Sequence, residues 1–300
     1  MKLEKKSTFV AIEGGGTKFV VSVGRSVDDA QQISIPTEHP SITIGRVKDF
    51  IRQQEKQNSA ISAIGVASFG PVGINPANSD YGLISNTPKP DWSGFNYLEA
   101  LAEFAIPIVI DSDVNAAALA EARCGAGYGK SRVAYITVGT GVGGGFVVDG
   151  VVQNGKNHPE LGHMLLPLHP KELVGAGYCP FHGACLEGLA SGPSIKARWG
   201  KDLSQLAQNH LGLELEAHYL AAMCVNVSLQ FVPDVIVLGG GVMATPGLLE
   251  RVKATTAKLL NGYFPDYQLQ TSSNLISKPQ FSPISGLVGA YQMAYDCLVC

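Results

Sequence analysis

Apolar positions along the chain recur at two spacings, and their order predicts one structural pattern made twice. Residues 7–12 read as a strand, followed by a glycine-rich turn at 13–16, a second strand at 18–23 and a third near 31–35. A helix near 43–54, a buried strand at 63–68, a helix near 95–104 and a strand at 108–111 complete a β-β-β-α-β-α-β order. From residue 133 the pattern begins again, with a β-branched run to 138, a second glycine-rich turn at 139–145 and a strand at 146–148. A loop carrying cysteine and histidine interrupts this half. Helices near 186–198 and 216–230, a strand at 235–238, a helix near 248–260 and an amphipathic segment at 286–298 follow it. Strands alternating with helices, with a hairpin opening each half, predict two α/β domains with mixed sheets. The expected boundary is near Ala118, giving an N-terminal domain at 1–118 and a C-terminal domain at 119–285.

The composition agrees with two ordinary globular cores. The chain has 300 residues, 45% of them hydrophobic. Charged residues make up only 16%, the net charge is −3 and neither sign forms a block, so nucleic acid is not an expected partner. Lys2, Lys5 and Lys6 read as a solvated N-terminus. No apolar run approaches the roughly 20 residues that span a bilayer, and the first residues lack the apolar core of a signal peptide. No membrane contact and a cytoplasmic location are therefore expected. The six cysteines do not form the framework of a secreted disulfide domain.

Four of the candidate chemical groups lie in the interrupting loop. Cys179, His182 and Cys185 form a C-x2-H-x2-C run, and His163, sixteen positions before Cys179, can close a tetrahedron around Zn²⁺. Two carboxylates, Glu160 and Glu187, bracket this set. Four protein ligands describe a closed, structural site, since catalytic zinc keeps one position open for water. The competing reading is two buried thiols and two ordinary histidines.

Three glycine-rich turns add phosphate chemistry. Gly14, Gly15 and Gly16 permit a tight hairpin whose N–H groups can approach phosphate oxygens, with Thr17 adding a hydroxyl donor and Lys18 a cation. The P-loop spacing is absent and a strand follows, so the alternative is a plain glycine hairpin. The run from Gly139 through Thr140, Gly141 and Gly143 to Gly145 repeats this chemistry in the second half, and two matching turns suit a grip on a nucleotide polyphosphate. Gly239, Gly240 and Gly241 leave a buried strand and let the backbone pass a flat group such as adenosine, or simply turn into a helix. Asp111 and Asp113 stand where a strand ends and an alanine-rich helix begins, a position at which α/β sheets collect ligands. Asp113 is the candidate general base for phosphoryl transfer supported by Mg²⁺, and Asp111 orients the loop or caps the helix.

These motifs together resemble the ROK sugar kinases, and in particular their bacterial fructokinase branch, over nearly the whole chain. The A-I-E-G-G-G-T-K run is similar to the family's first phosphate loop, D-V-N-A-A-A-L-A-E to its catalytic-aspartate helix and V-G-T-G-V-G-G-G to its second phosphate loop. P-E-L-G-H resembles the sugar-binding E-x-G-H element. C-P-F-H-G-A-C-L-E-G-L-A-S-G-P followed by Arg198, Trp199 and Gly200 resembles the fructokinases most specifically. The resemblance implies an actin-like (ribonuclease H-like) duplicated fold with an interdomain cleft and a zinc-braced loop, ATP as co-substrate and Asp113 as base. It implies Glu160, His163 and Glu187 as sugar-hydroxyl ligands, with His163 serving metal and sugar through its two ring nitrogens. Asn86 and Asn115 are weaker sugar candidates, with ordinary turn roles as the alternative. Gly70 and Pro71 resemble a turn near the sugar pocket, and Pro193 a contact to ATP.

Two departures stand out. Glu13 replaces the Asp of the wider family, as it does across the fructokinase branch. His182 stands where many ROK glucokinases have a third cysteine, which favours fructose over glucose. The leading expectation is a kinase making D-fructose 6-phosphate; the alternatives are a mannokinase or broad hexose kinase, and a catalytically silent sugar sensor. ROK repressors carry a helix-turn-helix ahead of this fold, which the first phosphate loop at residue 13 does not lead one to expect here. A homodimer is the expected assembly, and the helix at 286–298 is expected to pack on the N-terminal domain or to serve the dimer contact.

Overall fold

The structure, a computed structural model, describes residues 7–57, 60–173, 175, 177–263 and 275–299, so Lys2, Lys5, Lys6 and Cys300 lie outside the described residues. The chain divides into two compact units: residues 1–120 with 154–158 and 284–300, and residues 121–153 with 159–283.

In the first unit, strands β1 (Thr8–Gly14), β2 (Lys18–Gly24) and β3 (Gln31–Pro36) form an antiparallel meander, and β4 (Ile61–Ser68) and β5 (Ile108–Ser112) add in parallel on the other side of β1. The sheet order is β3-β2-β1-β4-β5. The second unit repeats it. Strands β6 (Arg132–Val138), β7 (Val142–Val148) and β8 (Val151–Val152) form the meander, and β9 (Val235–Gly239) and β10 (Ile276–Ser277) pair in parallel beyond β6. Among the described residues this makes two sheets of the same topology, the duplicated actin-like plan. The central strands β1, β4, β6 and β9 are buried along almost their whole length, as strands covered on both faces must be.

Helices α1 (Pro40–Gln57), α2 (Tyr97–Leu101) and α3 (Asp113–Cys124) belong chiefly to the first unit. The second holds α4 (Leu186–Ala190), α5 (Gly192–Trp199), α6 (Leu211–Phe231) and α7 (Leu248–Leu260). The last helix, α8 (Ser285–Asp296), returns to the first unit and packs on β1 and β4. Its approach is backbone to backbone. A Cβ on Gly65 of β4 would stand 1.9 Å from the Ala290 carbonyl oxygen, and one on Gly289 would stand 1.9 Å from the Ala116 oxygen of α3. No side chain fits either gap, so glycine sets the packing distance of α8.

The structure corrects several expected boundaries. Gly143, Gly144 and Gly145 do not extend the second turn but lie in β7, paired with Thr137, Ile136 and Tyr135. Their missing side chains make room for a neighbour, since a Cβ on Gly144 would meet Leu161 at 3.3 Å. The helix expected at 186–198 is two helices, broken at Ser191, whose backbone is extended (φ −70°, ψ 154°). Pro193 has no N–H and restricts the residue before it, so it starts α5 rather than continuing α4, with Ser191 accepting from Ser194 N. Helix α6 begins at Leu211 because His210 Nδ1 accepts from Gly212 N, a histidine cap that periodicity does not reveal. No helix among the described residues is long and apolar enough to cross a membrane.

Candidate active site

The first glycine turn joins β1 to β2, closed by Gly15 N donating to Lys18 O at 3.0 Å. Thr37 braces it from outside: its hydroxyl donates to Gly15 O at 2.8 Å and its N–H to Thr17 O at 3.0 Å. Gly16, Thr17 and Lys18 are left exposed. Gly14 cannot be replaced without displacement, because a Cβ there would lie 2.9 Å from the Tyr97 hydroxyl and 3.0 Å from the Phe19 ring.

Beside this turn stand the acidic groups. Glu13 sits against the start of α8, where the Leu287 N–H donates to it; burial, and next the charge of Asp113, push its carboxyl up to about 7. Asp113 is the first residue of α3, and its Oδ1 accepts from Val114 N at 2.9 Å. Helix N–H groups at that position favour a carboxylate. Asp111 accepts from Ser112 N and Asn115 Nδ2, both at 2.7 Å, and burial raises its carboxyl to about 6. Asn115 is fully buried and also donates to Asn154 Oδ1 at 2.9 Å, so its amide N–H groups serve internal support for Asp111 and the 154–158 segment. Asn86 is exposed in a left-handed turn at φ 28°. The Gly70–Pro71 peptide is cis.

In the second unit the turn between β6 and β7 is closed by Gly139 N donating to Gly141 O at 2.8 Å, and Thr140 is exposed at its tip. Two other segments hold it. Gly192 N donates to Gly139 O at 2.7 Å, and Glu187 Oε2 accepts from Val142 N at 3.0 Å. Glu187 therefore ties the head of α4 to this turn. Pro193 is exposed at the start of α5. Gly239 ends β9, Gly240 takes φ +91° with its Cα close against the Val138 backbone, and Gly241 precedes the short turn Val242–Ala244. Glu160 is exposed ahead of the 3-10 turn Leu161–His163, which packs on β7.

His163, Cys179, His182 and Cys185 converge, with one donor atom from each within 4.8 Å of all the others. The separations identify the arrangement. Sulfur to His163 Nδ1 is 3.6 Å from Cys179 and 3.7 Å from Cys185, Cys179 sulfur to His182 Nδ1 is 3.8 Å, and the two Nδ1 atoms are 3.3 Å apart. Zinc at about 2.3 Å from sulfur and about 2.05 Å from nitrogen, with tetrahedral angles, requires S···N of about 3.6 Å and N···N of about 3.3 Å. The donor set fits zinc in both chemistry and spacing. His163 faces this cluster with Nδ1, which turns Nε2 to the opposite edge of its ring.

The intervening loop is pinned a second time. Glu172 and Arg198 form an ion pair at 2.9 Å with side chains only 2% and 1% exposed, and the Tyr219 hydroxyl donates to Glu172 at 2.8 Å. Arg198, singled out by its motif, thus acts on the loop between two metal ligands. Glu172, Tyr97 and Lys89, whose Nζ donates to Gly16 O at 2.6 Å, were not visible as site residues in the sequence. Tyr97 reads as an ordinary core aromatic, and no motif marks the other two.

The sequence pattern of the ROK family matches residues 9–296. The chain is 39% identical to the fructokinase of Zymomonas mobilis subsp. mobilis, over 98% of each chain. Among solved structures it is similar to the ROK hexokinase from Thermus thermophilus, with a TM-score of 0.77 and 26% identity over 97% of this chain and 99% of that one. It is also similar in fold to a ROK family glucokinase from Streptomyces griseus in complex with glucose and AMPPNP, with a TM-score of 0.75 and 21% identity over 97% of this chain and 100% of that one. A family pattern spanning nearly the whole chain, with substantial identity over full length, shows that this chain belongs to the ROK family, among its sugar kinases and beside the fructokinases.

Proposed function

We propose that this sugar kinase phosphorylates D-fructose to D-fructose 6-phosphate, with ATP as donor and Asp113 as general base. The observation that carries the choice of sugar is the 39% identity to a fructokinase over 98% of both chains. The reaction type is supported by Asp113 at the head of α3. As the fructose hydroxyl oxygen forms its bond to the γ-phosphorus, Asp113 takes the hydroxyl proton. The bond from γ-phosphorus to the bridging oxygen breaks, and ADP leaves with that oxygen. A positioned base contributes about 10²–10⁴-fold. Each turn, Gly14–Lys18 in the first unit and Gly139–Gly141 in the second, is by resemblance a candidate for phosphate contact through backbone N–H groups, and Gly239–Gly241 is a candidate for adenosine contact. By resemblance, Glu160, His163 and Glu187 bind sugar hydroxyls, and Asn86 and Asn115 are weaker candidates for the same role.

Two metals fit this scheme. Magnesium supplied with ATP would neutralise phosphate charge, and Glu13 would hold it or its waters: a half-buried carboxylate close to a second one suits a hard dication. Zinc suits the four-donor cluster and, with no open position, fixes the loop that carries His163 and leads into Glu187.

Glu13 gives a pH signature. The folded protein holds its proton more tightly than the unfolded chain, so ionising Glu13 lowers the stability of the ligand-free protein between its ordinary 4.5 and about 7. Below about 7 the group is neutral and cannot serve a cation. The expected result is that kcat/KM for Mg·ATP falls as pH drops through about 7, and that Glu13→Gln is slower throughout and lacks this limb. An unchanged limb in the variant would remove Glu13 from the account.

The function itself is tested by sugar-dependent ADP release with fructose, mannose and glucose at equal concentrations. Turnover with fructose alone supports the proposal. Similar rates on several hexoses make the protein a general hexose kinase, and bound sugar without turnover makes it a sensor.

A further inference from the structure

Lys89 lies between two prolines in the run Thr87-Pro88-Lys89-Pro90-Asp91-Trp92, which restricts the backbone on both sides of it. The run is anchored by Trp92, which is fully buried and donates through Nε1 to Glu38 O at 3.0 Å. The Trp92 ring stacks on Phe19 at 5.2 Å and meets Phe69 and Phe95 edge-on at 5.4 and 5.0 Å. Phe19 is the residue after Lys18, so one aromatic anchor fixes both the first glycine turn and the Lys89 run. The result is that the Lys89 ammonium is held against the turn, 2.6 Å from Gly16 O.

A lysine carries three donors, and Gly16 O takes one. Among the described residues no carboxylate pairs with Lys89. The exposed residues next to it, Gly16, Thr17 and Lys18, are those offered to phosphate. A cation fixed at one point of such a turn, with donors left over and no anion of its own, is built to receive an anion. Resting on the kinase reading, we propose that Lys89 is a ligand of the γ-phosphoryl group of ATP, bridging it to Gly16 O and neutralising the charge that builds during transfer. A role limited to pinning the loop is the rival, and it differs in one respect: it does not distinguish ATP from ADP.

The test compares Lys89→Met and Lys89→Arg with the wild-type full-length protein, measuring binding of Mg·AMPPNP and Mg·ADP by calorimetry together with steady-state kinetics on fructose. The expected result is that Lys89→Met weakens AMPPNP about tenfold more than ADP and lowers kcat about 100-fold, with the fructose KM within about twofold, and that Lys89→Arg recovers most of both. Equal weakening of both nucleotides, or no change in either, would overturn the proposal. Melting curves check folding, and Lys89→Gln repeats the comparison should the methionine variant not fold. If wild-type protein phosphorylates no sugar, the kinase reading fails while the ratio of AMPPNP to ADP affinity still decides the role of Lys89.

Discussion

Asp113→Asn is expected to fold, bind fructose and nucleotide with near-normal affinity, and turn over about 10³-fold more slowly. The substitution keeps the size and helix-starting geometry of the residue, and an amide oxygen can still accept from Val114 N as the carboxylate does now at 2.9 Å. What it removes is the capacity to take a proton. Because Asp113 contributes to the raised pKa of Glu13, the variant also lets Glu13 ionise more readily, so its residual activity extends to lower pH than that of the wild type. Rapid-quench measurement of the phosphoryl-transfer step, with sugar binding followed separately, checks both parts. A variant within about tenfold of wild type in that step would rule out Asp113 as the base.

Loss of zinc is expected to have the second large effect. Wild-type protein should carry one zinc per chain, and Cys179→Ala should carry none, because three donors of which one is exposed bind poorly. The consequence reaches beyond the cluster. Cys185 immediately precedes α4, and Glu187 in its first turn accepts from Val142 N of the second glycine turn. Releasing the ion should therefore raise KM about tenfold for both fructose and ATP, with a smaller fall in kcat. The buried pair of Glu172 and Arg198 keeps the loop from unfolding altogether. His182→Cys is the control, since a thiolate can replace the imidazole and retain the metal. Fully active protein with no zinc by metal analysis would reject the assignment.

Much of this molecule is legible in its sequence. The strands on either side of the glycine turns alternate strongly enough to be read, and C-x2-H-x2-C is compact enough to expose three metal donors by spacing alone. His163 came from chemistry rather than spacing, and the fold brings it to the other three. Where the structure differs from the pattern, contacts made on folding, rather than the local residue types, decide the outcome. Gly143–145 look like turn residues, but pairing with β6 and the approach of Leu161 make them strand. The amide N–H groups of Asn115, a weaker sugar candidate by resemblance, go to Asp111 and to Asn154, the latter 39 residues away. Lys89 and Tyr97 come to the first turn from a loop and a helix that no motif connects to it.

The return of α8 to the first unit has a consequence for synthesis. Strands β1 and β4 emerge early from the ribosome, yet the helix that covers them, and the Leu287 N–H that meets Glu13, are made more than 200 residues later. The first unit has to wait with an apolar sheet face uncovered until α8 is made. Contacts of such long range slow folding and prolong exposure to aggregation. A nascent chain should therefore stay open to protease at β1 and β4 until α8 is made, long after those strands are translated.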